Sequence, residues 1–412
     1  MNAISNELKE DLRNVIDSYF QEDDAATFNR DVFEDHPVGI NGDIALSDTD
    51  RAQLGIEIAP VKDRFQIDRT ITAARKKLNT QSYLKLLTNM SEIALNHGML
   101  NITHEIISKI KRECRIRSIR ANSMIVLSDL MLIKGNWEKS IAAARSARNI
   151  FDIEKDNRGL AKSNNILGTV YGERGNLKKA GKYFEQSLDL AKEANDKRLV
   201  AMLHNNLGII SNIYEEFDKA LDYFNEAYKI FNELGDNKKV AETRHNIGMV
   251  YKEQKEYKKA LEEFDTAINM AMEFRYQPVL AISYIGKAEI LVKLKSYKLA
   301  ALMANKAMDF AHTIDDKLTI AEVYRLQGMI CKHLETYKLA ENKLKSALRL
   351  NKKLDIQLNI AECYDELASL AGIKRDKDKE RDYLMLSLDY YKKIDANDHI
   401  AEIEDRLIKL TA

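Results

Sequence analysis

Proline and glycine, the residues that most often interrupt helices, are scarce: the 412-residue sequence has three prolines and 16 glycines. This scarcity favours helix almost throughout. Cys114, Cys331 and Cys363 are few, widely spaced and odd in number, which argues against a disulfide framework or a metal knuckle and fits a reducing compartment. No run of about 18 apolar residues is present, so no membrane-spanning helix is predicted.

Neither sign of charge is in excess, because 64 basic side chains balance 64 acidic ones. This balance argues against a generally basic nucleic-acid-binding or membrane-binding protein. The first residues, MNAISNELKEDLRNV, have acidic side chains where a secretion signal needs a basic start and an apolar stretch. We therefore expect a cytoplasmic protein.

An internal repeat of 40 residues dominates the sequence. Small or glycine residues follow the repeating alanine after seven residues, as at Gly168 and Gly208, and a second alanine column includes Ala180 and Ala220. Eight positions in one register indicate a structural repeat, which predicts a solenoid or another array. The repeating alanines are Ala121, Ala161, Ala201, Ala241, Ala281, Ala321, Ala361 and Ala401.

Each repeat has the pattern of two helices. In residues 201–240, apolar residues follow helical spacing up to Tyr214, and a second apolar stripe begins at Ala220. The small residues allow close approach of the two helices, and the pair must stack on its neighbours to bury both faces. Aspartates between repeats are predicted to cap the next first helix. They are Asp156, Asp196, Asp236 and Asp316.

The columns resemble those of the tetratricopeptide repeat. In one unit they are Gly168, Tyr171, Ala180, Phe184 and the variant Ser187. The resemblance covers about residues 121 to 400, and the 40-residue length is similar to the repeats of G-protein modulators, kinesin light chains and bacterial Rap-type peptide-sensing regulators. It implies an all-α, right-handed superhelical solenoid of antiparallel helix pairs with a C-terminal capping helix.

Four segments are predicted. Residues 1–62 form an acidic extension with one amphipathic helix and an irregular loop, since the first sixty residues contain 14 acidic and 4 basic side chains. Residues 63–120 contain N-terminal helices and a degenerate first repeat. Residues 121–398 contain the regular repeats, and residues 399–412 form the capping helix. We expect seven helix pairs between about residues 81 and 398.

The acidic extension precedes a strongly basic stretch. Its apolar positions, from Ile4 to Phe20, predict a helix that docks on the first repeats, with Arg112 and Arg115 near its acids. The linker through Gly39 and Gly42 is expected to be mobile.

No motif of catalysis or cofactor binding is present. The sequence contains no phosphate-binding glycine loop, HExxH, CxxC or nucleophile elbow, and no constellation of acid, base and nucleophile. His97 and His104 are seven residues apart, which is weak evidence for a metal site. The sequence therefore predicts a protein that is not an enzyme and needs no cofactor or metal.

A ligand groove is implied by the resemblance, because first helices line the concave face of tetratricopeptide arrays through positions 2, 5, 6, 9 and 12 of each unit. Asparagine is a poor residue within helices, yet it recurs at these positions, where an amide can pair with a peptide backbone. The alternative is that the asparagines bond to one another between neighbouring helices. The predicted peptide-binding residues are Asn165, Asn205, Asn206, His245, Asn246, Met249, Lys252, Arg325 and Lys332.

A basic patch formed by Lys109, Arg112 and Arg115 has three interpretations. It could contact nucleic-acid phosphates, an acidic partner within or outside the chain, or only solvent. No aromatic residue interleaves with the patch, which argues against nucleic acid.

These patterns favour a cytoplasmic, bacterial scaffold or adaptor that holds a protein or peptide in its groove. A peptide-gated regulatory sensor of the Rap type is the main alternative. An accessory subunit of an enzyme is a weaker one, because residues 1–60 are too few for a catalytic core of their own.

Overall fold

The computed structural model describes residues 6–20, 22–33, 58–394 and 396–411, and every regular element among them is an α-helix. The chain forms two compact units, Met1–Asn195 and Asp196–Ala412. Within each unit, short turns join successive helices into antiparallel pairs that pack on their neighbours. The predicted all-α solenoid of helix pairs is confirmed.

The first unit contains three N-terminal helices followed by three helix pairs. Helices α1 to α9 span Asn6–Asp17, Glu22–Phe33, Ile58–Lys77, Thr80–Asn96, Leu100–Glu113, Arg117–Ile133, Trp137–Glu154, Asn157–Glu173 and Leu177–Glu193.

The second unit contains five helix pairs and a final single helix. Helices α10 to α20 span Lys197–Ile213, Phe217–Glu233, Asn237–Glu253, Tyr257–Glu273, Gln277–Lys293, Tyr297–Thr313, Lys317–His333, Tyr337–Leu354, Gln357–Ile373, Lys377–Lys393 and Asn397–Thr411. Ile403 of α20 is buried against the last pair, so this helix covers the end of the stack.

The expected number of helix pairs was too low. The described residues between 80 and 393 contain eight pairs rather than seven. The eight repeating alanines delimit seven complete units, and the degenerate pair α4–α5 precedes them.

Small residues bring the two helices of a pair together. In the pair α10–α11, a Cβ atom added at Gly208 would lie 2.7 Å from Cε1 of Phe224, so no larger residue fits against this ring. Ala220 is fully buried at the same crossing. The alanine and glycine columns therefore set how closely the helices pack.

The aspartates between repeats cap the first helices, as predicted. Asp196 Oδ1 accepts a hydrogen bond from the backbone nitrogen of Leu199 over 3.1 Å, and Asp156 accepts one from Gly159 over 3.0 Å. Asp236 and Asp316 make equivalent bonds. These caps satisfy backbone donors that have no partner within the helix.

The N-terminal helix docks through its apolar face, as expected. Leu8, Leu12 and Ile16 of α1 are fully buried in a cluster that also contains Phe28 of α2 and Met90 of α4. Helix α2 was not predicted from the sequence. Gly39 and Gly42 lie outside the described residues, so the expected mobility of this linker stays a prediction.

The ion pair that the structure describes for α1 does not involve the expected arginines. Asp11 Oδ2 lies 2.9 Å from Nε2 of His97, at the end of α4. Arg112 and Arg115 form no ion pair within 4.0 Å in the described part of the chain. Because α1 packs on α4, Asp11 lies at the C-terminal end of that helix, and the expected proximity of the other α1 acids to Arg112 and Arg115 stays a prediction.

Candidate functional site

The first helices of the second unit present a row of side chains, most of which are half-buried. They occupy positions 2, 5, 6, 9 and 12 of each unit, counted from the repeating alanine, and we call this row the first-helix face. Successive first helices contact one another, which places the row on one side of the second unit. The five helices are α10, α12, α14, α16 and α18. Asn165, by contrast, is half-buried on α8 of the first unit.

An amide pair lies at the α10–α12 end of this face. Asn246 Nδ2 donates a hydrogen bond to Oδ1 of Asn205 over 2.9 Å. The alternative interpretation of the asparagines thus holds for this pair. Each amide uses one of its two polar groups in the bond, and the Nδ2 of Asn205 and the Oδ1 of Asn246 can still serve a ligand. Asn206 is half-buried beside them.

Apolar side chains surround the amides. Ile209 is 39% exposed, and Met202 and Met249 are half-buried on the same face. Thioether side chains adapt their shape to different apolar groups. This end of the face therefore combines adaptable apolar surface with hydrogen-bonding groups.

His245 is less accessible than the sequence suggested. Its ring is only 7% exposed, Nδ1 lies 3.0 Å from Oγ of Ser283, and the ring contacts Phe264 at 5.3 Å between centroids. Burial, with a smaller effect from Lys252, lowers the pKa of His245 to about 3. The imidazole is therefore neutral and joins α12 to α14 instead of facing a ligand.

The three predicted cations of the face are already paired with carboxylates on the next first helix. Lys252 Nζ lies 2.6 Å from Glu289 Oε2, which connects α12 to α14. Burial alone would lower the pKa of Lys252, but Glu289 and Glu253 outweigh it and raise the pKa. Lys252 therefore remains charged.

The two other cations connect α16 to α18. Lys332 Nζ lies 2.6 Å from Glu366 Oε2 and 3.0 Å from Ser369 Oγ. Arg325 Nε lies 3.4 Å from Glu362 Oε2. These cations stabilise the contact between neighbouring helices, and a ligand must share them with their acids.

Glu322 is the exception on this face. In the described part of the chain it forms no ion pair within 4.0 Å. Burial raises the pKa of Glu322 to about 7, and Glu289 adds to this rise while Arg325 opposes it. The contact between α14 and α16 thus includes the carboxylate of Glu322, which has no counterion of its own among the described residues.

Carboxylates outnumber cations on the first-helix face from α12 to α18, six against three. Sequence reasoning did not select these acids, although glutamate at position 2 of several repeats was a readable signal. The acids are Glu242, Glu289, Glu322, Glu362, Asp365 and Glu366; the cations are Lys252, Arg325 and Lys332.

Asp129 in the first unit is a comparable acid. Burial raises the pKa of Asp129 on α6 to about 7, with a further rise from Glu92 and an opposing effect of Lys162. The predicted basic patch lies at the end of α5 in the same unit, where Lys109 is half-buried and Arg112 and Arg115 are exposed.

Within the described ranges, no group of three or more His, Cys, Asp or Glu side chains is arranged to hold a metal ion. None of the described helices combines the length and hydropathy needed to cross a membrane. Cys114 and Cys363 are buried, and Cys331 is partly buried against an apolar cluster.

Comparison with known proteins identifies the class of these helix pairs. Residues 159–233 and 239–311 match the tetratricopeptide repeat family. These residues are tetratricopeptide repeats, as the sequence pattern indicated, and the helix pairs on either side share their columns and fold. Comparison with curated protein sequences gives no significant match.

Three solved structures illustrate the similarity of fold. A Rap protein complexed with Competence and Sporulation Factor is 13% identical, with 85% of this chain and 92% of that chain covered and a TM-score of 0.60. NprR in complex with its cognate peptide NprX is 14% identical, with coverage of 81% and 98% and a TM-score of 0.58. Aspartyl phosphate phosphatase F from Bacillus subtilis is 14% identical, with 97% of both chains covered and a TM-score of 0.54.

Proposed function

We propose that the chain is a tetratricopeptide scaffold that binds a peptide or an extended protein segment along the first-helix face of its second unit. The observation that supports this most strongly is the amide pair Asn205–Asn246 beside the exposed Ile209. An extended backbone needs donors and acceptors along its length, and apolar side chains give it affinity. Both lie together at the α10–α12 end.

The charge of the face favours one class of ligand. Glu242 and Asp365 pair with Lys239 and Arg406, which lie outside the face, so that Glu322 is left without a counterion among the described residues. A positively charged peptide can supply that counterion, whereas an acidic one meets repulsion. We therefore expect a ligand with apolar side chains at one end and Lys or Arg at the other.

A peptide-gated sensor is the form of this function that the structural neighbours favour. Two of them are described as complexes, one with Competence and Sporulation Factor and one with a cognate peptide. A scaffold and a sensor differ in their response to ligand: in a sensor, a short peptide changes the shape of the protein. We infer a binding protein located in the cytoplasm and assign it no catalytic step.

Screening of a peptide array with the full chain tests the proposal. We expect bound sequences to combine apolar and basic residues, and Asn206→Ala with Asn246→Ala to weaken binding about tenfold, as for one or two lost hydrogen bonds to a ligand. Asn225→Ala is the matched control, since Asn225 is exposed on the second helix α11. Equal binding by both variants would refute a role of these amides, and small-angle scattering with the bound peptide separates sensor from scaffold.

A further inference from the structure

The ends of two helices converge at one corner of the first unit. Arg75, in the last turn of α3, lies 3.6 Å from Glu113 at the end of α5. Arg75 and Lys109 both lie over the ring of Tyr83, at 5.6 and 5.4 Å from its centroid. These contacts hold the basic ends of α3 and α5 beside the start of α6. We call this region the basic corner.

Among the described residues, the basic corner holds several cations that no acid pairs with. Five of its cations are exposed and form no ion pair within 4.0 Å in the described part of the chain. Glu113, the acid between the two helix ends, already pairs with Arg75. The five are Lys76, Lys111, Arg112, Arg115 and Arg117.

Some exposed cations elsewhere in this protein pair with an acid of their own helix or its cap. Lys219 pairs with Glu216 at 2.9 Å and Lys345 with Glu341 at 2.7 Å, each within one helical turn. Like charges held close together repel one another, and this repulsion opposes folding. The basic corner therefore concentrates positive charge in a chain whose net charge is zero.

We propose that the basic corner is a docking surface for an acidic segment of a partner protein. Three of the five cations are arginines, whose planar guanidinium groups bind carboxylates through two parallel hydrogen bonds. Residues 109–117 contain no aromatic side chain on which a base could stack, and the nearby ring of Tyr83 is only 4% exposed. A chain without net charge also lacks the long-range attraction that favours nucleic acids. An acidic protein segment is thus the better match.

Binding of a fluorescein-labelled oligoglutamate peptide to the full chain, followed by fluorescence anisotropy, tests this surface. We expect binding that weakens with salt, and Arg112→Glu with Arg115→Glu to reduce the affinity about tenfold or more. The control is Lys258→Glu with Lys298→Glu, which changes the net charge equally at exposed lysines of the second unit.

Three results would overturn the proposal: no binding of oligoglutamate by the unchanged protein, equal weakening by the control pair, or tighter binding of a single-stranded oligonucleotide of equal length. If the charge reversals impair folding, judged from the helical circular dichroism signal, Arg112→Gln with Arg115→Gln removes the same charges without introducing acids. That milder pair must still weaken oligoglutamate binding more than Lys258→Gln with Lys298→Gln. The groove variants of the proposed function should leave this binding unchanged, so the two proposals can fail separately.

Discussion

Asn246 and Asn205 lie on successive first helices, and the Nδ2 of Asn246 reaches the Oδ1 of Asn205 at 2.9 Å. The bond is part of the framework of the second unit, and it also fixes the orientation of both amides. An amide held in this way presents its remaining polar group in one direction, so a ligand would not have to order the side chain on binding. The amides of Asn205 and Asn246 can therefore both join the two helices and bind a ligand.

A double-mutant cycle of Asn205→Ala and Asn246→Ala should separate these roles. We expect a coupling free energy of about 0.5–1.5 kcal/mol for unfolding, as for one hydrogen bond between half-buried groups. The single variants should fold, since alanine is the better helix former. Denaturant unfolding gives the coupling, and a value near zero would show that the bond contributes nothing to the framework.

Glycine at a helix crossing and glycine at an open position should respond oppositely to substitution. A Cβ at Gly208 would meet the Phe224 ring at 2.7 Å, whereas a Cβ at Gly172 would meet only the Cβ of Ala180 at 3.8 Å. Gly208→Ala should therefore destabilise by about 1–3 kcal/mol through overpacking. Gly172→Ala should stabilise by up to about 1 kcal/mol through its helix propensity.

Thermal melts of both variants, followed by circular dichroism, check this pair. A lower melting temperature for Gly172→Ala than for Gly208→Ala would contradict the packing described for the column. Since the two glycines lie in different units, each unit should be followed by a local probe where the melt has more than one step.

The turns between helices predict a stabilising substitution. Lys255 ends α12 with a φ of 62°, in the left-handed region, while the corresponding turns at Gly135 and Gly175 use glycine. A side chain in this conformation costs about 1 kcal/mol relative to glycine. Lys255→Gly should raise the free energy of unfolding by several tenths of a kcal/mol to about 1 kcal/mol. Gly175→Ala, its counterpart, should lower it, and chemical denaturation would show both.

Much of the fold could be predicted from the sequence because its determinants are local. The alanine column, the glycines against aromatic rings and the capping aspartates such as Asp196 act within one helix pair or one turn. A 40-residue repeat presents the same evidence several times. Helix α2 does not repeat and has no such support, so its presence could not be predicted in this way.

The site was harder to predict, because its properties arise between helices. The sequence placed Lys252, Arg325 and Lys332 on the correct helices, but each has an acid partner more than thirty residues away. The burial of His245 depends on Ser283 and Phe264 in two other helices. Residue spacing also does not show that Glu322 forms no ion pair within the described residues. That depends on which acids the neighbouring cations contact.

Glu322 gives the second unit a specific pH dependence. In the folded protein the pKa of Glu322 is raised to about 7 from its ordinary value of 4.5. Between these values the unfolded chain has released the proton and the folded chain retains it, so stability falls as the pH rises from about 4.5 to 7 and levels off above. The groups that face Glu322 are Glu289, Arg325, Glu362 and Lys252.

Glu322→Gln should remove this loss. Relative to the unchanged protein, the variant should gain stability progressively from pH 4.5 to 7, reaching on the order of 1–3 kcal/mol, since one pKa unit corresponds to about 1.4 kcal/mol. His245 and Asp129 titrate in both proteins, so their contributions cancel in the difference. Glu226→Gln, an exposed position on α11, is the control and should change stability by less than about 0.5 kcal/mol. Urea unfolding across this pH range measures the difference. If the difference in stability does not change with pH, Glu322 is not buried against its acidic neighbours as described. If the difference grows with pH, the carboxylate of Glu322 is ionised above pH 7. A cationic ligand on this face should then bind more tightly above pH 7.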